Sequence, residues 1–283
     1  MLINKEKLIV LNSTDSIRHK LMFSGALSAC NEFPNTESFY FDIKQNNITF
    51  LRTEVTIPFK GLKTIDDFFT ISGYDIITPG YWNDNPVREA RKELTLKLWD
   101  KRNILEILYN DKEFRAYKIT YGKPELPFKF SVKGLDVEYK GGKVSLILDG
   151  EKVKVPDCKD FAAYLGGGWL EEYAYLHFLP MVQSGQFFDL RIGLEIFPSG
   201  KKPAKGQMPV GEFDCVYTDG KRLYIVECKA GVVKQDHIQK LENNLKTYGG
   251  IAAMGVLFTA FPICPALQDR INRSTSIQLM NLR

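Results

Sequence analysis

Several features are missing from this sequence, and each absence removes a class of function. Its 5 cysteines (Cys30, Cys158, Cys215, Cys228 and Cys264) include no CxxC pair, and their number is odd. A disulfide framework or a structural zinc site is therefore not expected. Histidine is scarce: only His19, His177 and His237 occur, far apart, which argues against histidine-based metal catalysis. No GxSxG elbow is present to support a serine hydrolase. No apolar run approaches the ~18 residues that suggest a membrane span. The opening MLINKEKLIVLNSTDS has too short an apolar core for a signal peptide. A cytoplasmic protein with reduced thiols and no membrane partner is expected. One-sided charge is also lacking: the formal net charge is +4 over 283 residues, compatible with an anionic partner but no proof of one.

The remaining sequence has the composition of an ordinary globular protein, 44% hydrophobic and 25% charged. No internal repeat is visible. PGYWNDNP at 79–86 interrupts every periodic pattern and marks a joint. Before it, KLIVLN reads as a strand, and residues 17–33 show helical spacing. SFYFDI and NITFLR read as a hairpin turning at Gln45-Asn46. Thr64 is placed to cap a helix over IDDFFTIS, since Thr-x-x-Asp resembles a capping box. After the joint, 87–109 reads as one long helix. FRAYKITY, FKFSVKG, LDVEYK and KVSLILDG read as strands, the last two joined by a Gly-Gly turn. A helix over 160–179 is broken at Gly166-Gly167-Gly168. Strand LRIGLEIF, helix 236–248 and strand GVLFTA follow.

The most informative stretch is GEFDCVYTDGKRLYIVECKAG, 211–231. Asp219-Gly220 signals a two-residue turn, which pairs Thr218 with Lys221 and sets Glu212 opposite Glu227. Alternation then puts Glu212, Asp214 and Val216 on one face with Ile225, Glu227 and Lys229. Phe213, Cys215 and Cys228 take the other. Two carboxylates so close repel unless a divalent cation lies between them, because hard cations prefer oxygen ligands. Lys229, one pleat beyond Glu227, suits an attacking water or the charge developing on a phosphate. An exposed hairpin with ordinary cross-strand charges is the plain alternative. The nearly continuous apolar run RLYIVE argues instead for a central strand covered on both faces. In GGGWLEEYAYLHFL, Glu171 aligns with Tyr175 and Phe178 and faces inward; Glu172, about 100° away, faces solvent.

Together these residues resemble the PD-(D/E)xK, or restriction-endonuclease-like, nuclease superfamily. The helix glutamate Glu171, then Asp214, then Glu227-x-Lys229 stand in that family's order. YLGGGWLEEYAY, GEFDCVY, LYIVECKAG and LKTYGG before an apolar strand are similar to the nuclease domain of CRISPR-associated proteins with an N-terminal CARF domain. Such a domain is a Rossmann-like sensor of cyclic oligoadenylates. The similarity covers roughly residues 155–262. VLNST, HKLM, SFYFD and a capped helix ending in SGY resemble the second half of the sensor. Two departures stand out: Asp15-Ser16-Ile17 replaces the usual Gly-Gly-Thr, and the sensor's first β-α units have no room before Leu8.

The resemblance implies an α/β protein, with a restriction-endonuclease-like C-terminal domain and a reduced Rossmann-like (CARF-like) N-terminal domain. The expected division is 1–80 for the partial CARF-like part, 81–150 for a helix and hairpin connection, and 151–283 for the nuclease domain. The implied activity is endonuclease cleavage of DNA or RNA with Mg²⁺ or Mn²⁺, in CRISPR or phage defence, by a homodimer under cyclic oligoadenylate control. Asp214, Glu227, Glu171 and the carbonyl of Cys228 are the expected metal ligands, and Lys229 the catalytic cation. Lys201, Lys202 and Lys205 are candidates for the nucleic-acid backbone. Asn12, Thr14 and Lys20 are candidates for the cyclic nucleotide. Gln235 or Gln239 is a candidate helper at the site. Trp169 is read as a core anchor, with base stacking as the alternative. A silent assembly protein that keeps the nuclease fold is the rival reading.

Overall fold

The computed structural model describes residues 3–4, 7–13, 28, 32, 36–42, 45, 47–50, 53–58, 61–112, 114, 127–141, 143–156, 161–201, 203–204, 206–249 and 253–281. The chain divides into two units, Met1–Leu62 and Lys63–Arg283.

The first unit holds a five-stranded sheet in sequential order: β1 (Ile3–Asn4), β2 (Lys7–Ser13), β3 (Thr36–Asp42), β4 (Asn47–Phe50) and β5 (Thr56–Pro58). β2 and β3 run parallel, from Leu8↔Thr36 to Ser13↔Phe41. A parallel pair needs a crossover connection. The helix expected over 17–33 would supply it, but it falls outside the described residues apart from Ser28 and Glu32. β3 and β4 form the expected hairpin, and the Phe39 and Phe50 rings lie 6.0 Å apart across it.

The second unit begins at α1 (Ile65–Ile71), where Thr64 and Asp67 form the reciprocal capping box read from the sequence. Next come β6 (Tyr74–Thr78), α2 (Pro86–Asp100) and α3 (Arg102–Asn110). The single long helix expected over 87–109 is thus two, because Lys101 leaves helical geometry at φ −102° and ψ 19°. Strands β7 (Phe128–Val132), β8 (Leu135–Lys140), β9 (Lys143–Leu148) and β10 (Glu151–Val153) make a four-stranded antiparallel sheet. The Gly-Gly turn joins β8 and β9 as expected, pairing Lys140 with Lys143. The strand expected at FRAYKITY lies outside the described residues except for Phe114.

The remaining elements are α4 (Trp169–Gln183), β11 (Asp189–Pro198), β12 (Gly211–Thr218), β13 (Leu223–Lys229), α5 (Gln235–Tyr248), β14 (Ala253–Thr259), α6 (Pro265–Asn272) and β15 (Ile277–Asn281). They complete a six-stranded sheet in the order β15-β14-β13-β12-β11-β6. β13, β14 and β15 are parallel, and the other pairs are antiparallel. Each face of this sheet has its own apolar cluster. One gathers Leu94, Leu105, Val137, Trp169 and Phe178 against Ile192, Cys215 and Val226. The other packs Ile65, Phe69, Ile238, Leu241 and Ile271 against Val216, Ile225 and Leu257. β13 is covered on both faces, which accounts for its unbroken apolar sequence.

The expected boundary near residue 80 is corrected by this pairing. β6 hydrogen-bonds β11, and α1 buries Ile65 and Phe69 in the second cluster, so 65–78 belong with the C-terminal sheet. The 81–150 stretch shares a core with α4 and is an integral part of the second unit. Gly80 makes the junction possible. It sits at φ 73°, and a Cβ there would fall 2.8 Å from the carbonyl oxygen of Ile192. Gly80→Ala is therefore expected to cost about 1–3 kcal/mol. For a unit of this size that lowers Tm by about 2–4 °C per kcal/mol, measurable by thermal denaturation. An unchanged Tm would mean the junction carries no strain.

Candidate active site

The β12–β13 hairpin carries the charged residues, in a register two residues away from the expected one. Thr218 pairs with Leu223 and Cys215 with Val226, leaving a four-residue loop, 219–222. Side chains stabilise that loop: Asp219 Oδ1 accepts from the backbone N–H groups of Lys221 and Arg222 at 2.8 and 2.7 Å, and Thr218 Oγ1 accepts from Gly220. A tight two-residue turn of type I′ or II′ would need positive φ at Asp219, its first central position; of the pair only Gly220 has it. A two-residue slip preserves the faces, and it brings Asp214 level with Glu227.

The regular ladder ends at Cys215↔Val226. Beyond it, the backbone N–H of Cys228 donates to Asp214 Oδ2 at 2.7 Å, a carboxylate taking the place of a strand partner. β11 and β12 also switch faces here. Leu190 and Ile192 face the first cluster, but Leu194 and Ile196 face the second. Gly193, at φ 63°, is the pivot. On β12, Cys215 and Tyr217 face the first cluster, while Phe213 packs in the second, its ring 5.4 Å from Phe69. The expectation that Phe213 shares a face with Cys215 is thereby corrected. The sheet opens where the strands flip, and Asp214 stands at that opening.

Glu227 is 2% exposed, yet it is charge-balanced. Lys229 Nζ lies 2.7 Å from its Oε1, and Lys240 Nζ lies 3.1 Å from its Oε2. Burial works to lower the Lys229 pKa, but Glu227 and Asp214 outweigh it and hold the ammonium above its ordinary value. Asp214 moves the opposite way. Burial, then Glu227, raise its pKa to about 6, against the pull of Lys229 and the Cys228 N–H.

Glu171 enters from α4. The chain reaches it through a short helical segment, Phe161–Ala163, and a widened turn, Tyr164–Gly168, in which Gly167 departs from helical dihedrals at φ 159° and ψ −28°. The glycine run breaks the helix as expected and re-aims α4. Glu171 is half-buried, and burial, then Asp214, raise its pKa to about 8, with Lys229 opposing. Glu172 is not solvated, contrary to the sequence reading. It is buried against Arg91, whose Nε and Nη2 donate to Oε1 at 2.7 and 2.5 Å, and Thr95 Oγ1 lies 3.1 Å from Oε2. The partner is on α2, 81 residues away, which no local pattern reveals. This pair fixes the start of α4 beside Glu171.

The other candidates divide clearly. The Cys228 side chain packs in the first cluster, as expected, and burial pushes its thiol pKa up. Trp169 is fully buried and donates from Nε1 to the Tyr109 hydroxyl at 2.6 Å, so it anchors the core. Lys201 is exposed in the loop after β11; Lys202 and Lys205 lie outside the described residues. Asn12 lies near the end of β2, whereas Thr14 and Lys20 lie outside the described residues. On α5, Gln235 and Gln239 are exposed, and it is Lys240 that reaches Glu227. Its signal in the sequence was only a lysine on the helix after the ExK strand. His237 also stands near, its pKa lowered by burial and then by Lys229.

Among the described residues, no three His, Cys, Asp or Glu side chains form a ready metal cage. The donor chemistry nonetheless suits a hard cation: the nearby groups are carboxylates, and burial, then a neighbouring carboxylate, raises the pKa of both Asp214 and Glu171.

Residues 158–279 match the Card1-like endonuclease domain family. The C-terminal unit is thus similar to that endonuclease domain, and the resemblance read from its motifs holds. The whole fold is similar to VC1899 from Vibrio cholerae, with a TM-score of 0.57 and 17% identity over 96% of this chain and 71% of that one. It is also similar to Can2 from Sulfobacillus thermosulfidooxidans, solved in complex with cyclic tetra-adenylate. There the TM-score is 0.54 and the identity 13%, over 98% of this chain and 89% of that one. At these identities the likeness is one of fold: α/β, with a restriction-endonuclease-like C-terminal domain. No curated protein matches the chain in sequence. Among the described residues no helix is long and apolar enough to cross a membrane.

Two outcomes are expected from this geometry. A carboxyl whose pKa rises on folding favours the folded state at acid pH and loses that contribution as pH climbs through the folded value. With Glu171 near 8, the stability advantage of Glu171→Gln over the wild type should grow between about pH 4, where free carboxyls titrate, and pH 8. Urea midpoints in EDTA measure it, and a pH-independent difference would show that Glu171 ionises freely. Removing one partner of the buried pair by Arg91→Ala should cost about 3–5 kcal/mol. Loss of less than about 1 kcal/mol would show that water reaches Glu172.

Proposed function

We propose that the C-terminal unit hydrolyses phosphodiester bonds of DNA or RNA with a divalent cation, Mg²⁺ or Mn²⁺. The observation that carries this is the convergence of Asp214, Glu227 and Lys229 at the opened end of β12 and β13, with Glu171 alongside. Asp214, Glu227 and Glu171 would hold the metal, with the Cys228 carbonyl as a further oxygen. A metal bound there would polarise the phosphodiester and lower the pKa of a coordinated water. Lys229 stays cationic at neutral pH and stabilises negative charge on the phosphate oxygens as the water attacks. The Cys228 N–H orients Asp214 through one oxygen and leaves the other for the site. Arg91 and Glu172 hold α4, and with it Glu171, in place.

For the N-terminal unit, the proposed ligand is a cyclic oligoadenylate, and the proposed assembly is a homodimer acting in CRISPR-linked defence. The support is the parallel β2–β3 pair with Asn12 near its end, and the fold shared with Can2. A second reading has its own observation. Glu227 is already neutralised by two lysines, as in a site that has lost its metal and kept only its fold.

Cleavage of single-stranded RNA, single-stranded DNA and supercoiled plasmid separates the readings. Each substrate is tested with Mg²⁺, Mn²⁺ or EDTA, with and without cyclic tetra- or hexa-adenylate. Cutting should require metal and vanish in Glu227→Ala. Lys229→Ala, which removes one charge-stabilising donor, should slow it by about 10²–10³-fold. No cutting by the folded protein under any condition would favour the silent assembly protein.

A further inference from the structure

Helix α2 carries a second arginine one turn before Arg91, and the hydrolytic reading leaves it unused. Arg88 is half-buried in the first turn of α2. Its guanidinium lies against β11: Nη2 is 3.4 Å from the position a Cβ would take on Gly193. Gly193 falls between the pairs Ile192↔Cys215 and Leu194↔Phe213, so it stands at the level of Asp214 on the next strand. Neighbouring strands are about 4.8 Å apart. Arg88 is thus held beside the opened end of β12, on the face of the sheet that α2 shares with α4 and its Glu171.

Three observations set Arg88 apart from a structural arginine. Its Nη1 donates to the Tyr81 carbonyl at 3.0 Å, and among the described residues no carboxylate forms an ion pair with it. The buried arginines nearby are paired, Arg91 with Glu172 and Arg191 with Asp66 and Asp189. A desolvated charge is ordinarily matched in this way. Burial also lowers the Arg88 pKa, and Glu172, Asp84 and Glu171 offset that only in part. Finally, a helix start favours acidic side chains and opposes a cation. Arg88 is locally misplaced on α2, and the opening it faces supplies the reason.

We propose that Arg88 binds a phosphate of the substrate strand beside the scissile one. Lys229 approaches Asp214 from β13 and Arg88 from β11, so the two cations flank the carboxylates and serve successive phosphates. With Nη1 held by Tyr81, Nε and Nη2 remain to meet two phosphate oxygens side by side, the fork geometry in which arginine excels. The contact positions the strand without reading its bases. It rests on the hydrolytic reading for the identity of its ligand, a nucleic-acid strand. It also gives α2, outside the family match at 158–279, a direct part in the site.

The test uses the full chain with Arg88→Gln, which keeps a donor for the Tyr81 carbonyl but removes the charge, and Arg88→Lys, which keeps the charge without the fork. Binding of fluorescein-labelled single-stranded DNA, single-stranded RNA and duplex DNA is measured by anisotropy in Ca²⁺ across a NaCl series. Steady-state kinetics are measured in Mn²⁺, and Tm for each variant. Arg88→Gln should bind the preferred strand about tenfold more weakly, with a log–log salt slope shallower by about 0.7–0.9, the loss of one phosphate contact. It should raise KM with kcat unchanged. Arg88→Lys should keep the wild-type slope. Affinity within about twofold of wild type and an unchanged slope in Arg88→Gln would overturn the proposal. So would a fall in Tm and kcat with KM unchanged, which assigns Arg88 to the fold, and so would a wild type that binds none of the three strands. A wild type that binds but never cuts would sink the hydrolytic reading, while the salt slope still judged Arg88.

Discussion

The buried charge of Glu227 is the constraint on which the rest of the site depends. An ionised carboxylate at the end of a strand covered on both faces costs several kcal/mol unless it is matched. Lys229, two residues along the same strand, and Lys240 on the next helix supply the match. That requirement links β13 to α5 by charge as well as by the apolar packing of Ile238 and Leu241. Next to Glu227, burial and then a neighbouring carboxylate push Asp214 and Glu171 toward protonation, and Lys229 opposes the shift in both.

The opening that exposes these groups comes from the backbone. β11 and β12 change faces at Gly193 and Asp214, and the β12–β13 ladder stops at the same level. Regular strands would carry Asp214 past Glu227 with its carboxylate fixed by alternation. The irregularity instead lets that carboxylate receive the Cys228 N–H, so a ladder defect becomes the rigid mount of a site residue. On the other side, the glycine-rich turn before α4 and the Arg91–Glu172 pair set where Glu171 points. The region between the joint and the nuclease motifs thus positions the site, since α2 supplies Arg91.

Much of this was legible in the sequence. The apolar run RLYIVE ending in charge identifies the central strand, and alternation along it sets Glu227 and Lys229 on one face, while the hairpin register lies two residues from the one the turn signal implies. The turn failed because Asp219 and Thr218 bond the loop with their side chains, which a dipeptide rule does not weigh. Glu172 was read as solvated because its partner Arg91 lies on another helix. Nothing local marks Lys240, because its contact with Glu227 depends on how α5 rests on the sheet.

By itself, then, the sequence determined what is local: strand and helix periods, the capping box at Thr64, the glycine break before α4, and the order of Glu171, Asp214 and Glu227-x-Lys229. Only the tertiary structure decided what is long-range. It joined β6 to the C-terminal sheet, paired Arg91 with Glu172 across 81 residues, and gave Glu227 its second lysine. The physical reason is that periodicity records which face of an element avoids water. The partner that neutralises a buried charge is selected by three-dimensional proximity, and sequence spacing carries no trace of it.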